Sequence, residues 1–172
     1  MNSAVDAESG AVTRRLFTFK LSGSDYGVPI LRVQEIVALP PVTPVPRTPE
    51  FVRGVINLRG RVVPVVDLRT RFGMAASPDT DRTCVVIIQV EGESGAMRMG
   101  VVVEDLAEVV DVPEDDVVDP PEFGAGIDTE FLLGMGRVAQ RVIILLDVDK
   151  VLTSADVATV RQAAGESTKG AE

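Results

Sequence analysis

Glu50-Phe51-Val52-Arg53-Gly54, followed after six residues by Arg61-Val62-Val63-Pro64-Val65-Val66-Asp67, recurs eighty positions later. The second copy reads Glu130-Phe131-Leu132-Leu133-Gly134 and Arg141-Val142-Ile143-Ile144-Leu145-Leu146-Asp147. The gap between the two blocks is the same in both copies, so the match extends well beyond one apolar run. Each block is short, rich in β-branched residues and bounded by Gly, Pro or Asp, which is the pattern of a strand.

Working outward, Gly27-Val28-Pro29-Ile30-Leu31-Arg32-Val33-Gln34-Glu35-Ile36-Val37 lines up with Gly100-Val101-Val102-Val103-Glu104-Asp105-Leu106-Ala107-Glu108-Val109-Val110 at an offset of 73. The second half therefore carries seven extra residues, expected in the acidic loop from Pro113 to Gly126. Each half opens with the same device. Leu16 to Leu21 turns through Ser22-Gly23-Ser24-Asp25 into Tyr26 to Ile30, and Cys84 to Val90 turns through Glu91 to Gly95 into Met97 to Val103. Pro29 suggests an edge position for the first return strand. The expectation is a mainly β fold: two similar five-stranded β-barrel lobes around a shared hydrophobic core, with short helices and a C-terminal helix. The domain spans 14–155, with approximate lobes 15–75 and 83–155. Residues 1–13 form a mobile N-terminal tail, and 156–172 a C-terminal helix and mobile tail. One half, at roughly 60–70 residues, buries too little surface to be secure alone.

Helical signals are few. Thr48-Pro49-Glu50-Phe51 reads as a single turn. Asp67 to Gly73 reads as a short helix with a capping carboxylate and a terminal Gly, and Asp147 to Leu152 as its counterpart. The longest helix is expected from about Ser154 to Ala164, with Thr153 and Asp156 at capping-box spacing.

Composition removes many functions. The 172 residues include no His and no Trp, one Cys and one Tyr. Without imidazole there is no Ser–His–Asp or Cys–His catalysis and no His-based zinc site. Cys84, inside Cys84-Val85-Val86-Ile87-Ile88, reads as a buried strand residue. The N-terminus lacks the apolar core of a secretory signal, and no apolar run reaches the 18 residues or so of a membrane span. A formal charge of −9 disfavours nucleic-acid binding through phosphates. Gly134-Met135-Gly136-Arg137-Val138-Ala139 imitates a dinucleotide fingerprint, but a strand follows where a helix is required. Asp111, Glu114, Asp115, Asp116 and Asp119 lack the ligand order and central Gly of a calcium loop. No catalytic residue, cofactor or metal is expected.

Charge is uneven along the chain. From Arg47 to Arg71 six arginines face two carboxylates, whereas from Met99 to Gly136 there are eleven carboxylates and no Lys or Arg. This is either two solvated faces or a dipolar module for head-to-tail contacts. The halves also differ at one turn, where Asn57-Leu58-Arg59-Gly60-Arg61 stands against Arg137-Val138-Ala139-Gln140-Arg141. Gly60 permits a tight turn with Arg59 at its tip, and Glu35 is the expected partner for that guanidinium.

At these residues the chain resembles the CheW family of chemotaxis coupling proteins. The resemblance rests on Tyr26-Gly27-Val28-Pro29-Ile30, on Val33-Gln34-Glu35-Ile36, on Val45 to Gly60, and on Val63-Pro64-Val65-Val66-Asp67-Leu68-Arg69; it runs from about Leu16 to Leu152. It implies two five-stranded barrels and a non-catalytic scaffold. Such a scaffold binds the cytoplasmic tip of methyl-accepting chemoreceptors and the regulatory domain of a CheA-type histidine kinase. It sits in rings within membrane-associated arrays, next to further copies of itself, and is cytoplasmic without membrane insertion. By the same resemblance Val33, Glu35, Arg59, Gly60, Gly100, Leu106 and Val109 belong to interaction surfaces, burial being the alternative for the apolar ones. A CheW-like scaffold for a motility or polarity system without classical receptors is the other reading.

Overall fold

A computed structural model describes residues 13–75, 78–92, 95–119 and 131–151. Residues 1–12 and 156–172 of the expected terminal tails and the helix from Ser154 lie outside these residues, whereas Thr13 already belongs to the first strand. The strands are β1 (Thr13–Leu21), β2 (Ser24–Pro29), β3 (Val33–Ala38), β4 (Val52–Leu58), β5 (Arg61–Asp67), β6 (Cys84–Gly92), β7 (Gly95–Val103), β8 (Asp105–Pro113), β9 (Val117–Val118), β10 (Leu132–Val138) and β11 (Arg141–Leu146). Two short helices, α1 (Leu68–Arg71) and α2 (Val148–Val151), follow β5 and β11. Asp67 caps α1 by accepting from Arg69 N at 2.9 Å, and Asp147 accepts from Asp149 N at 3.2 Å. The turn at Thr48 to Phe51 is closed by Val52 N donating to Pro49 O at 3.0 Å.

Strand order is β8-β1-β2-β11-β10-β9 in sheet I and β3-β6-β7-β5-β4 in sheet II. The sheets are not the two sequence halves. Strands β1 and β2 from the first half join β8 to β11, and β6 and β7 from the second half join β3 to β5. The halves exchange their opening hairpins, so the boundary expected between 15–75 and 83–155 divides the repeat and not the sheets. Strand β2 is consequently interior, paired to β1 and β11, and Pro29 sits harmlessly at its last residue rather than marking an edge.

The repeat itself is reproduced in register. Val65 pairs with Gly100 in parallel, and Leu145 with Gly27, as the offsets of 80 and 73 require. The β4–β5 ladder slips between Val52 and Gly54, and the β10–β11 ladder between Leu132 and Gly134. At both bulges the glycine has positive φ, 144° and 157°, and its partner carbonyl, Thr43 O or Val118 O, approaches where a Cβ would stand. Matching Thr43 to Val118 places two of the seven extra residues before Val118 and five after it.

Each sheet curls around its own apolar cluster, and a larger cluster joins them. Sheet I encloses Leu16, Val110, Val112, Ile143 and Leu145, and sheet II encloses seven residues including Ile56, Val65, Val85 and Ile87. The shared cluster has eighteen buried residues, among them Phe17, Phe19, Val86, Ile88, Phe131 and Leu146. At roughly 1.5–3 kcal/mol per buried side chain, the shared layer outweighs either interior, so neither sheet is self-sufficient. This explains the continuous apolar run in β6. Cys84, Val86 and Ile88 face the shared core, while Val85 and Ile87 face the interior of sheet II. Burial pushes the Cys84 thiol pKa up, which keeps it protonated. No helix among the described residues is long and apolar enough to cross a membrane.

Candidate interaction surface

The β4–β5 turn holds Arg59 at φ 52° and Gly60 at φ 86°, with Asn57 Oδ1 accepting from Gly60 N at 2.7 Å. A left-handed Arg is costly, and the Asn57 bond and the following glycine hold the turn that requires it. Arg59 reaches across to Glu35 in a two-pronged ion pair, Nη1 lying 2.9 Å from Oε2 and Nη2 bonded to Oε1. Strand β3 carries Glu35 at one edge of sheet II, and the Arg59 turn joins β5 to β4 at the opposite edge. The ion pair therefore helps to close the curled sheet. Hydrogen bonding from Arg59, with the charge of Arg98 adding to it, holds the Glu35 carboxyl below its ordinary pKa. The pair is exposed, so it shapes the surface more than it stabilises the fold.

The equivalent glutamate, Glu108, is also paired, but to Arg141 Nη2 at 2.8 Å. Residue 139 is Ala, with φ 55°, so the turn geometry is kept while its guanidinium is lost. The structure instead transfers the pair to the arginine two residues on, the counterpart of Arg61.

Val33 is half-buried against the shared core, whereas Leu106 and Val109 are 40% and 50% exposed. Leu106 pairs with Phe19 and Val109 with Phe17, just as Val33 pairs with Ile88 and Ile36 with Val86. These four side chains continue the core-facing side of each sheet out to its edge strand, where the facing sheet no longer fully covers it. Ile36, exposed at the counterpart of Val109, was missed in the sequence although the repeat names it. Gly60 is exposed at the turn tip. Gly100 is buried in β7, and a Cβ there would lie 2.6 Å from Val85 Cγ1. The missing Cβ there lets β7 pack against β6 and β5.

The charge split does not produce two bare faces. Within the acidic segment Glu104, Asp105, Glu108, Asp111, Glu114 and Asp116 pair with Arg69, Arg82, Arg141, Arg15, Arg14 and Arg137. In the basic segment Arg53 pairs with Asp79, and Arg71 lies 4.9 and 4.8 Å from the ring centroids of Phe51 and Phe131. Most of these counter-ions are distant in sequence and adjacent in space, so part of the charge of each segment is neutralised within the fold. No cluster among the described residues has the composition of a metal site.

Comparison with known proteins agrees with this architecture. The family model for the CheW-like domain matches residues 15–156. The chain is 35% identical over 149 residues to the chemotaxis protein CheW of Klebsiella aerogenes, covering 87% of each protein. It is 33% identical over 147 residues to that of Treponema pallidum, covering 83% of this chain and 84% of the relative. The crystal structure of the scaffolding protein TtCheW from Thermoanaerobacter tengcongensis matches with a TM-score of 0.73 at 30% identity, over 82% of this chain and 93% of that one. The exchanged hairpins, the doubled bulges and this likeness over most of both chains lead to one assignment: the chain belongs to the CheW family of chemotaxis coupling proteins.

Proposed function

We propose that this chain is a non-catalytic adaptor that binds the cytoplasmic tip of methyl-accepting chemoreceptors and the regulatory domain of a CheA-type histidine kinase. It works in the cytoplasm at membrane-associated arrays, beside other copies of itself, through the domain spanning 14–155. The observation that carries this reading is the pair of similar but unequal surfaces. On one edge strand Val33 and Ile36 continue the shared-core side while Glu35, held by Arg59, faces the other side; on the other edge strand Leu106 and Val109 stand likewise against Glu108 and Arg141. An adaptor that joins two different partners needs two faces that do not simply pair with each other. Exposed apolar side chains on an edge strand whose other side is held by an ion pair suit the recognition of a helical hairpin or a second β-rich domain.

Receptor-tip and kinase-domain fragments mixed with this protein, separately and together, provide the test. Both fragments are expected to bind, and Arg59→Ala is expected to weaken at least one contact with the melting temperature unchanged. Wild-type protein that retains neither fragment in sedimentation would overturn the assignment of partners.

A further inference from the structure

Each sheet leaves a ring of polar side chains at one mouth of its curled interior, and the two mouths differ in charge. In sheet I the ring is Lys20, Asp25, Glu108 and Arg141, two charges of each sign. Lys20 Nζ lies 2.7 Å from Asp25 Oδ1, and Arg141 lies 3.7 Å from Asp25 Oδ2 and 2.8 Å from Glu108. Asp25 is buried, and Oδ1 meets the ammonium off the hydrogen-bond direction, so the contact is one of charge. That mouth is neutral and filled by the protein itself.

The ladders identify the counterparts. Lys20 pairs with Asp25 as Gln89 pairs with Arg98, and Arg141 opens β11 as Arg61 opens β5. At the mouth of sheet II, Gln89 and Arg98 therefore stand where Lys20 and Asp25 stand in sheet I. The buried carboxylate has become an exposed guanidinium. Arg59 takes Glu35, and neither Arg61 nor Arg98 has an ion pair among the described residues. Three arginines face one glutamate. Arg61 and Arg98 line a surface groove of about 450 Å³ together with Gln34, Gln89, Val62 and Met97.

We infer that this groove receives a carboxylate side chain of a partner protein, which supplies from outside the negative charge that Asp25 supplies from within in sheet I. The inference rests on the coupling function proposed above and adds the chemistry of one contact. Each guanidinium offers a planar fork of donors suited to a carboxylate, and neither is taken up by an ion pair among the described residues. An acidic residue with an apolar neighbour fits both the cations and the groove between them. A nucleic acid does not, because the chain's overall charge of −9 repels a phosphate backbone.

The test uses the full chain with the receptor-tip and kinase-domain fragments, measured calorimetrically across a salt series. Arg61→Ala and Arg98→Gln are each expected to weaken one of the two complexes about tenfold and to flatten its salt dependence. Arg98→Asp, which copies Asp25 beside Arg61, is expected to weaken the same complex further with the melting temperature unchanged or raised. Arg59→Ala in parallel reports on the coupling reading itself. If wild type binds and all three groove variants bind equally well, this inference falls and the coupling function stands. If wild type binds neither fragment, both fall. Variants that alter only self-association, or a groove occupied only by an RNA oligonucleotide, also overturn it.

Discussion

The chain crosses between its sheets twice, and the two crossings are clamped with opposite polarity. At the first, the turn Ile30 to Arg32 presents a cation. Arg32 makes a two-pronged bond to Asp149 at 2.8 and 2.5 Å, and Asp149 also accepts from Glu91 N at 3.0 Å. At the second, Glu104 presents an anion. It accepts from Arg69 Nη1 and from Ser22 N, both at 3.0 Å. Arg69 and Asp149 are counterparts after β5 and β11, as are Leu31 and Glu104 at the crossings. The backbone frame is common to both halves, but the sign of the clamp is not. Because the signs are opposed, Arg69 would repel Arg32 and Asp149 would repel Glu104, so charge favours each helix at its own crossing. A duplicated fold that exchanges hairpins needs such a distinction, since apolar registers alone would tolerate the wrong pairing.

The clamps also differ in burial, which gives the largest expected effect. The Arg69 side chain is 4% exposed and Asp67, its other partner, 6%, against 29% and 33% for Arg32 and Asp149. Arg69→Ala leaves Asp67 buried without its cation and is expected to cost about 3–5 kcal/mol, whereas Arg32→Ala costs about 1 kcal/mol. Urea unfolding of the two variants checks the ratio. Equal losses would mean that the crossings are energetically alike and that the polarity difference carries no weight.

The paired bulges sharpen the comparison at a smaller scale. A Cβ on Gly54 would stand 2.1 Å from Thr43 O, and one on Gly134 would stand 2.7 Å from Val118 O. Gly54→Ala is expected to destabilise by about 2–4 kcal/mol, through overpacking and an unfavourable φ. Gly134→Ala should cost less, because the closest approach is longer. A thermal melt of both variants showing the reverse order would place the tighter restraint in sheet I.

Much of this was legible in the sequence. The block Glu50 to Asp67 and its copy fixed strand positions and the repeat, because alternation and turn residues are local signals. The short helices after Asp67 and Asp147 were legible for the same reason. Hairpin exchange was not, since the pairing of β2 with β11 joins segments more than a hundred residues apart and no local signal says which β5-like strand a hairpin will choose. The Glu35–Arg59 pair could be read from the motif. The Glu108–Arg141 pair was not legible there, because Ala139 stands at the position of Arg59 and the partner is the arginine two residues on, although Glu108 and Arg141 both stand in the matched blocks. The partial neutralisation of the acidic segment was not legible either, because Arg14, Arg15 and Arg69 are remote in the chain.

The smallest expected effect concerns pH and tests whether the first clamp works by charge. The Arg32 side-chain hydrogen bond, with help from the Glu91 backbone N–H and against the opposing influence of burial, holds the Asp149 carboxyl below its ordinary pKa. A carboxyl whose pKa is lowered by folding adds stability above its unfolded value, about 4, and loses it as pH falls through the lower folded value. Wild type should therefore exceed Asp149→Asn in stability by a constant margin at neutral pH, and the margin should shrink once the pH drops below about 4. Arg32→Met should show the same narrowing against wild type, because removing the cation removes the cause of the shift. Denaturant unfolding from neutral to strongly acid pH reads both margins. A margin that persists unchanged into acid would assign the effect of Asp149 to its neutral hydrogen bond with the Glu91 backbone, and the first crossing would then be held by geometry and not by the sign of its charge.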